Sequence, residues 1–427
     1  MRQYDSYRDS GVEWIGKIPS HWEIGRLGYT AMGKGNLFID GDWIESPVII
    51  EEGIRYVTTG NVTPFVFKNE GNSHISEETF KKLNCTEVYP GDILISRLNE
   101  PLGKACIVPD IGERLITSVD CVIYRPDSKK YNKKFMVYYL NNSLYTEFLS
   151  TIGRGAIMKR VARSTLEKTP VILPPLKEQE AIASYLDAET ARIDGIIEAR
   201  AKKIKLLEEL RNAVISKAVT NGINDNVESI DSGVDWIGRT PKHWKKCRFK
   251  NITSFIAEPS TSSKKIGLEN IESKTGKFVE SETDFEGNGT AFMEDDVVYG
   301  KLRPYLQKVW LATFEGNAVG DFFVYRCKEN CLPKYLHYLM LSDGFTSVCN
   351  GATFGAKMPR VPSDFINSMS LYLPSVEEQN DIINYLDTKI SKIFETTEKH
   401  KKEIDFLKEY RSSLITEVVT GKRKVVL

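Results

Sequence analysis

No apolar run in this chain approaches the ~20 residues of a membrane-spanning helix. The opening Met1-Arg2-Gln3-Tyr4-Asp5 is polar with no apolar stretch behind it, so a secretory signal is not expected and a cytoplasmic setting is. Seven cysteines with no regular spacing argue for free thiols rather than a disulfide framework. Cys327 and Cys331, followed by His337, lack the second close pair that a zinc site needs. Charge of one sign is lacking too: Lys plus Arg number 58 and Asp plus Glu number 58, so no whole-chain basic field draws in nucleic acid.

Chemistry-bearing constellations are equally scarce. The five histidines are scattered, and two of them, His21 and His243, belong to a repeated motif. Gly351-x3-Gly355-x-Lys357 has the wrong spacing for a phosphate loop and no Ser or Thr after the lysine. No glycine-rich turn joins a strand to a helix, which leaves a dinucleotide site without support. Leu173-Pro174-Pro175-Leu176 is not the Asn/Asp-Pro-Pro-aromatic motif of methyl transfer. The chain is therefore expected to be non-catalytic and to hold no cofactor or metal.

What is present is a duplication. Asp9-Ser10-Gly11-Val12-Glu13-Trp14-Ile15-Gly16 returns as Asp231-Ser232-Gly233-Val234-Asp235-Trp236-Ile237-Gly238, and both copies run on to a Pro and a His-Trp pair, His21-Trp22 and His243-Trp244. Leu173-Pro174-Pro175-Leu176-Lys177-Glu178-Gln179 returns as Leu373-Pro374-Ser375-Val376-Glu377-Glu378-Gln379. Trp14 and Trp236 are 222 residues apart but Tyr185 and Tyr385 only 200, and Tyr124 and Tyr325 are 201 apart, so the second copy is shortened early. Variation is concentrated after each His-Trp pair, inside a frame held in register. Two similar units on one chain approximate a two-fold object, and duplex DNA is the commonest two-fold partner of such a reader.

Between the His-Trp and Leu-Pro motifs the pattern is one of short strands and turns. Val48-Ile49-Ile50, Ile54 to Val57, Ile93-Leu94-Ile95 and Cys121 to Tyr124 read as strands, with Val297-Val298-Tyr299 and Phe322 to Tyr325 in the second copy. One helix is expected near residues 135–149 and one near 335–348, and the four tryptophans Trp14, Trp22, Trp236 and Trp244 are assigned to packing. Past each Leu-Pro breaker a heptad runs for about forty residues: Leu186, Ile193, Arg200, Leu207 and Val214, then Leu386, Ile393, His400, Leu407 and Leu414. The spacing predicts two helices of roughly 60 Å stopped by Gly222 and Gly421, with Gly195 marking a bend or close approach. Equal lengths on one chain favour intramolecular antiparallel pairing over a homodimeric coiled coil.

Basic positions recur in both copies. Arg97 and Lys104 match Lys301 and Lys308, with Arg303 close by, each set following a strand. Farther on, the Gly-rich stretch 153–161 matches 351–361, sharing Gly155/Gly355, Met158/Met358, Arg160/Arg360 and Val161/Val361, with Arg154, Lys159 and nearby Arg163 basic in the first copy and Lys357 in the second. Glycines allow close backbone approach, and Arg and Lys neutralise phosphates or read guanine edges. The competing reading is a sheet-to-helix connection whose charges are solvated.

In the order and duplication of these motifs the chain resembles the specificity subunits of type I restriction-modification systems, along essentially all of its 427 residues. The resemblance implies an α+β fold of pseudo-two-fold design, with two β-rich α/β target recognition domains separated by two long antiparallel coiled-coil helices. The domains expected are residues 1–174 (first recognition domain with its Trp-Ile-Gly opening motif), 175–222 (first spacer helix), 223–374 (second recognition domain) and 375–427 (second helix and basic tail). It also implies double-stranded DNA with a bipartite site as ligand, and as partners methyltransferase subunits using S-adenosylmethionine and motor-nuclease subunits using ATP. Neutral net charge fits a subunit that shares its DNA affinity with basic partners. The alternative is a coiled-coil scaffold that binds no DNA, which leaves the variation of the two globular faces without a reason.

Overall fold

The computed structural model describes residues 3–425 apart from Ala156, Ile157, Thr261, Glu282 and Asp284. The chain forms two compact units, Met1–Ala199 with Glu403–Leu427, and Arg200–Lys402. Each unit holds one β-rich domain, part of one long helix at its start and part of the other at its end.

The repeated opening motif is a hairpin. Tyr7–Asp9 pairs with Lys17–Pro19 and Ser229–Asp231 with Arg239–Pro241, both antiparallel. Gly11, Gly16, Gly233 and Gly238 all sit at positive φ, between 64° and 73°, a conformation costly for residues with a Cβ. Asp9 accepts from the Gly11 amide at 2.7 Å and Asp231 from Gly233 at 2.9 Å. The motif recurs because the turn demands those residues.

Each domain is built on the same four-stranded antiparallel sheet. In the first the strand order is Leu37–Asp40, Cys121–Arg125, Ile93–Ser96, Ala105–Ile107; in the second it is Thr253–Ile256, Phe322–Cys327, Val297–Gly300, Val309–Leu311. A three-stranded sheet, one pair of it parallel, stands beside each. Val48-Ile49-Ile50 is not a strand: Ser46–Val48 is a 3-10 turn, and Ile50 makes only an isolated bridge to His74. Pro47 fixes φ and removes a ladder donor there.

The single helix expected at the back of each sheet is two. Lys133–Leu140 and Ser143–Ile152 are divided at Asn142, whose side chain accepts from the Tyr145 amide at 3.1 Å. Pro333–Leu341 and Asp343–Gly351 are divided at Ser342, which caps Phe345. An N-cap residue starts a new helix even where the apolar period carries through.

The long helices are Leu176–Asn221 and Val376–Val419, about 69 and 66 Å at 1.5 Å per residue. Gly222 and Gly421 follow their ends, both at φ 75°. In the first unit Ile182, Leu186 and Ile193 share one core with Leu414, Ile415 and Val418, and Arg411 Nε lies 2.9 Å from Asp194. In the second unit Ile215, Ala218 and Val219 share a core with Ile382, Ile383 and Leu386. Within each unit the start of one helix thus runs against the end of the other. Gly195 is exposed with nothing near its missing Cβ, so it marks no close approach. No described helix is long and apolar enough to cross a membrane.

The repeated motifs are wired to one another. Glu178 accepts from Trp22 Nε1 at 3.0 Å and lies 2.9 Å from His21 Nε2; Glu378 does the same for Trp244 and His243 at 3.0 and 2.8 Å. Gln179 and Gln379 take the amides of Asn132 and Leu332 at 2.9 and 2.8 Å. Asp92 and Asp296, almost fully buried, each receive a two-nitrogen grip from Arg125 and Arg326, whose protonation these bonds favour. Trp22 and Trp244 are buried, and Trp14 stacks on Phe148 at 5.0 Å between centroids, so the tryptophans serve packing. Glu178→Ala leaves the buried indole N–H unpaired, and a stability loss of about 1–3 kcal/mol is expected by urea denaturation. Glu178→Gln keeps an acceptor oxygen and is expected to lose less.

The seven cysteines are free thiols, none of them exposed. His337 faces the Val309 carbonyl at 3.2 Å rather than Cys327 or Cys331, and burial pulls its pKa down to about 4.

Candidate nucleic-acid interface

In each unit the two basic stretches, far apart in sequence, lie side by side. Arg154 and Arg160 exchange backbone hydrogen bonds of 2.9 and 2.8 Å across a narrow hairpin, and Val161 and Asn99 tie that hairpin to the turn after Ile93–Ser96. Phe354 and Arg360 do the same at 3.0 Å each, with Val361 bound to Lys301 and Arg303 to Pro359. Gly155 (φ 119°) and Gly355 (φ 93°) make the turns possible; a Cβ at Gly155 would stand 2.3 Å from the Met158 carbonyl oxygen. Ala156 and Ile157, within the first hairpin, lie outside the described residues.

The predicted basic residues divide by what holds them. Arg97 is 4% exposed: its Nε lies 3.0 Å from Asp40, and its terminal nitrogens donate to the Val161 and Val119 carbonyls. Burial lowers its pKa and Asp40 only partly offsets this. It lies beneath the patch, with its nitrogens facing protein oxygens. Lys308 likewise spends its ammonium on the Leu268 carbonyl at 2.6 Å, and burial lowers its pKa. Of the predicted basic residues, Arg97 is thus buried and Lys308 half-buried, each turned to protein oxygens.

Five residues sit at the surface in ion pairs. Arg160 meets Asp120 at 2.7 Å, Arg360 grips Asp321 through two nitrogens at 2.9 Å, and Lys159 meets Glu100 at 3.1 Å. The bonds to Asp321 raise the Arg360 pKa. Lys301 lies 3.9 Å from the same Asp321, and Arg163 lies between Asp40 at 3.5 Å and Glu167 at 3.2 Å. Exposed pairs of this kind contribute little to stability and exchange readily for another anion. Lys104, Arg154, Arg303 and Lys357 have no carboxylate within ion-pair distance among the described residues, and Arg154, Arg303 and Lys357 are exposed. Met158, Phe354 and Met358 are exposed beside them at 59, 62 and 45%.

Asp40, Asp120 and Asp321 are the partners that reading for basic residues alone misses. Asp120 and Asp321 were visible, since each directly precedes a repeated strand at the same 201-residue offset as Tyr124 and Tyr325. Asp40 has no counterpart in the second copy and left no such signal.

Residues 48–234 match the protein family described as the type I restriction modification DNA specificity domain. The chain is 24% identical to a putative type I restriction enzyme MjaX specificity subunit of Methanocaldococcus jannaschii, over 96% of both chains. It is 26% identical to the type I restriction enzyme EcoDI specificity subunit of Escherichia coli, over 61% of this chain and 67% of that one. Among solved structures, one from a study of assembly and conformational transition of the type I R-M system superposes with a TM-score of 0.67, at 14% identity, over 94% of this chain and 98% of that one. The HsdS subunit of Thermoanaerobacter tengcongensis superposes at 0.54, with 16% identity, over 95% of this chain and 98% of that one. These superpositions bear out the fold: two β-rich domains and two long helices.

Proposed function

We infer that the chain is a type I restriction-modification specificity subunit, a non-catalytic component that recognises DNA sequence, and that each β-rich domain reads one half of a bipartite site on double-stranded DNA. The observation that carries this is the pairing of a constant scaffold with divergent faces. Glu178 and Glu378, Asp187 and Asp387, Asp92 and Asp296 make the same contacts in both units, while the stretches 23–170 and 245–370, apart from such shared positions, differ in sequence and length. A reader of two unrelated half-sequences needs that combination, and a scaffold protein does not.

The division proposed is 1–174 and 223–374 as recognition domains, with 175–222 and 375–427 as the paired helices that set the gap and dock methyltransferase subunits. Those subunits bring S-adenosylmethionine, motor-nuclease subunits bring ATP, and the complex works in the cytoplasm. The DNA contacts proposed are Lys104, Arg154, Arg303 and Lys357 on phosphates, with Lys159, Arg160, Arg163, Lys301 and Arg360 exchanging their present carboxylates for phosphate or guanine edges.

The combined variant Arg154→Ala, Arg303→Ala, Lys357→Ala tests this. Each lost phosphate contact removes about 0.9 from the slope of log affinity against log salt, so the assembled complex is expected to lose about 2 to 3 units while keeping its preferred sequence. An unchanged slope in a correctly folded complex assigns the hairpins to structure alone.

A further inference from the structure

The two units share contacts where the long helices meet the β-rich domains, and they differ there at one aromatic position. In the first unit Phe65 fills the junction: its ring lies 5.4 Å from the Tyr138 ring, and the Arg411 guanidinium sits 5.1 Å over it. Arg411 is also paired with Asp194 at 2.9 Å. Tyr138 and Arg411 recur in the second unit as Tyr338 and Arg211, each at an offset of 200. The other two do not recur. Phe394 stands where Asp194 does, and the turn residue that shares the φ of 69° with Phe65 is Lys274. The turns correspond, since Val62 bridges Phe67 in one and Ile271 bridges Phe278 in the other.

The second unit therefore lacks its plug. A cavity of about 680 Å³ opens there, lined by Arg211, Tyr338, Leu341, Phe278, Phe394 and Lys277. That volume lies within the range of small-molecule sites. Its lining is charged as well as aromatic: Arg211, Lys274, Lys277 and Lys401 stand with Glu208, Glu272 and Glu398, of which Glu398 is paired with Lys401 at 2.9 Å, and Lys277 lies over the Phe394 ring. Arg211 has no carboxylate within ion-pair distance among the described residues and donates to the neighbouring Asn212 side chain, at 3.1 and 3.3 Å. Burial lowers its pKa although Glu208 and Glu272 oppose this. A half-buried guanidinium in a cavity lined also by Tyr338, Phe278 and Phe394 gains from an anion to pair with, and the rings offer a face for an aromatic group.

We propose that this cavity binds a small aryl carboxylate, its ring occupying the place that Phe65 fills in the first unit and its carboxylate pairing with Arg211. The bound ring braces the second domain against the helix pair as Phe65 braces the first. The inference does not depend on how DNA is read.

The test is a fluorine NMR titration of the full chain with 4-fluorophenylacetate. Saturable binding is expected, abolished by Lys274→Phe and weakened about tenfold by Arg211→Met. Phenylalanine is already tolerated at that φ in the first unit, so Lys274→Phe should fold and fill the cavity. Arg411→Met should leave binding unchanged. The absence of saturable binding to the wild-type chain overturns the proposal, as does binding that survives Lys274→Phe or is lost equally in Arg411→Met.

Discussion

Exchanging residues 23–170 for the corresponding stretch of a relative is expected to replace one half of the methylated motif and leave the other half intact. The exchange keeps the recurring contacts that lie outside it: the hairpin of Tyr7–Asp9 with Lys17–Pro19, the Trp22 and His21 clasp on Glu178, and the helix that starts at Leu176. It replaces the sheets and the basic hairpin of the first unit only. Each altered base pair costs about 1–3 kcal/mol, so loss of several positions together amounts to complete loss of the parental half-site. Methylation mapping reads the outcome. A change in both halves at once would mean that the two units do not read independently.

An equally large effect is expected from the helices. Four residues inserted between Ala201 and Lys205 lengthen the first long helix by about 6 Å, nearly two base-pair steps, and turn its far end by only about 40°. The helix is continuous through this point, and the boundary between the two compact units falls beside it at Ala199 and Arg200. Both half-sequences should survive while the undefined gap grows by one or two base pairs. The seam also shifts register, so some stability is lost. A folded, active complex that still methylates the parental gap would show that the helices do not set the spacing.

Much of the scaffold was legible because duplication prints it twice. Glu178 and Glu378, or Asp92 and Asp296, stand out at constant offsets, and a residue held by the same contact in two copies survives in both. The heptads were legible for the same reason, although Asn142 and Ser342 hid helix breaks inside a continuous apolar period. The site was harder. Arg97 and Lys301 align, yet one is buried on Asp40 and the other stays at the surface, because Asp40 has no counterpart to betray it. The Phe65 plug could not be seen at all, since it fills a space defined by residues from a turn, a helix after the sheet and the far end of the chain.

The central claim is that one chain reads two separate sequences. Methylome sequencing of cells that make this chain with its methyltransferase partner tests it most directly. The account predicts a motif of two defined blocks separated by a fixed run of undefined bases. A single continuous block, or methylation indifferent to the presence of this chain, would contradict it.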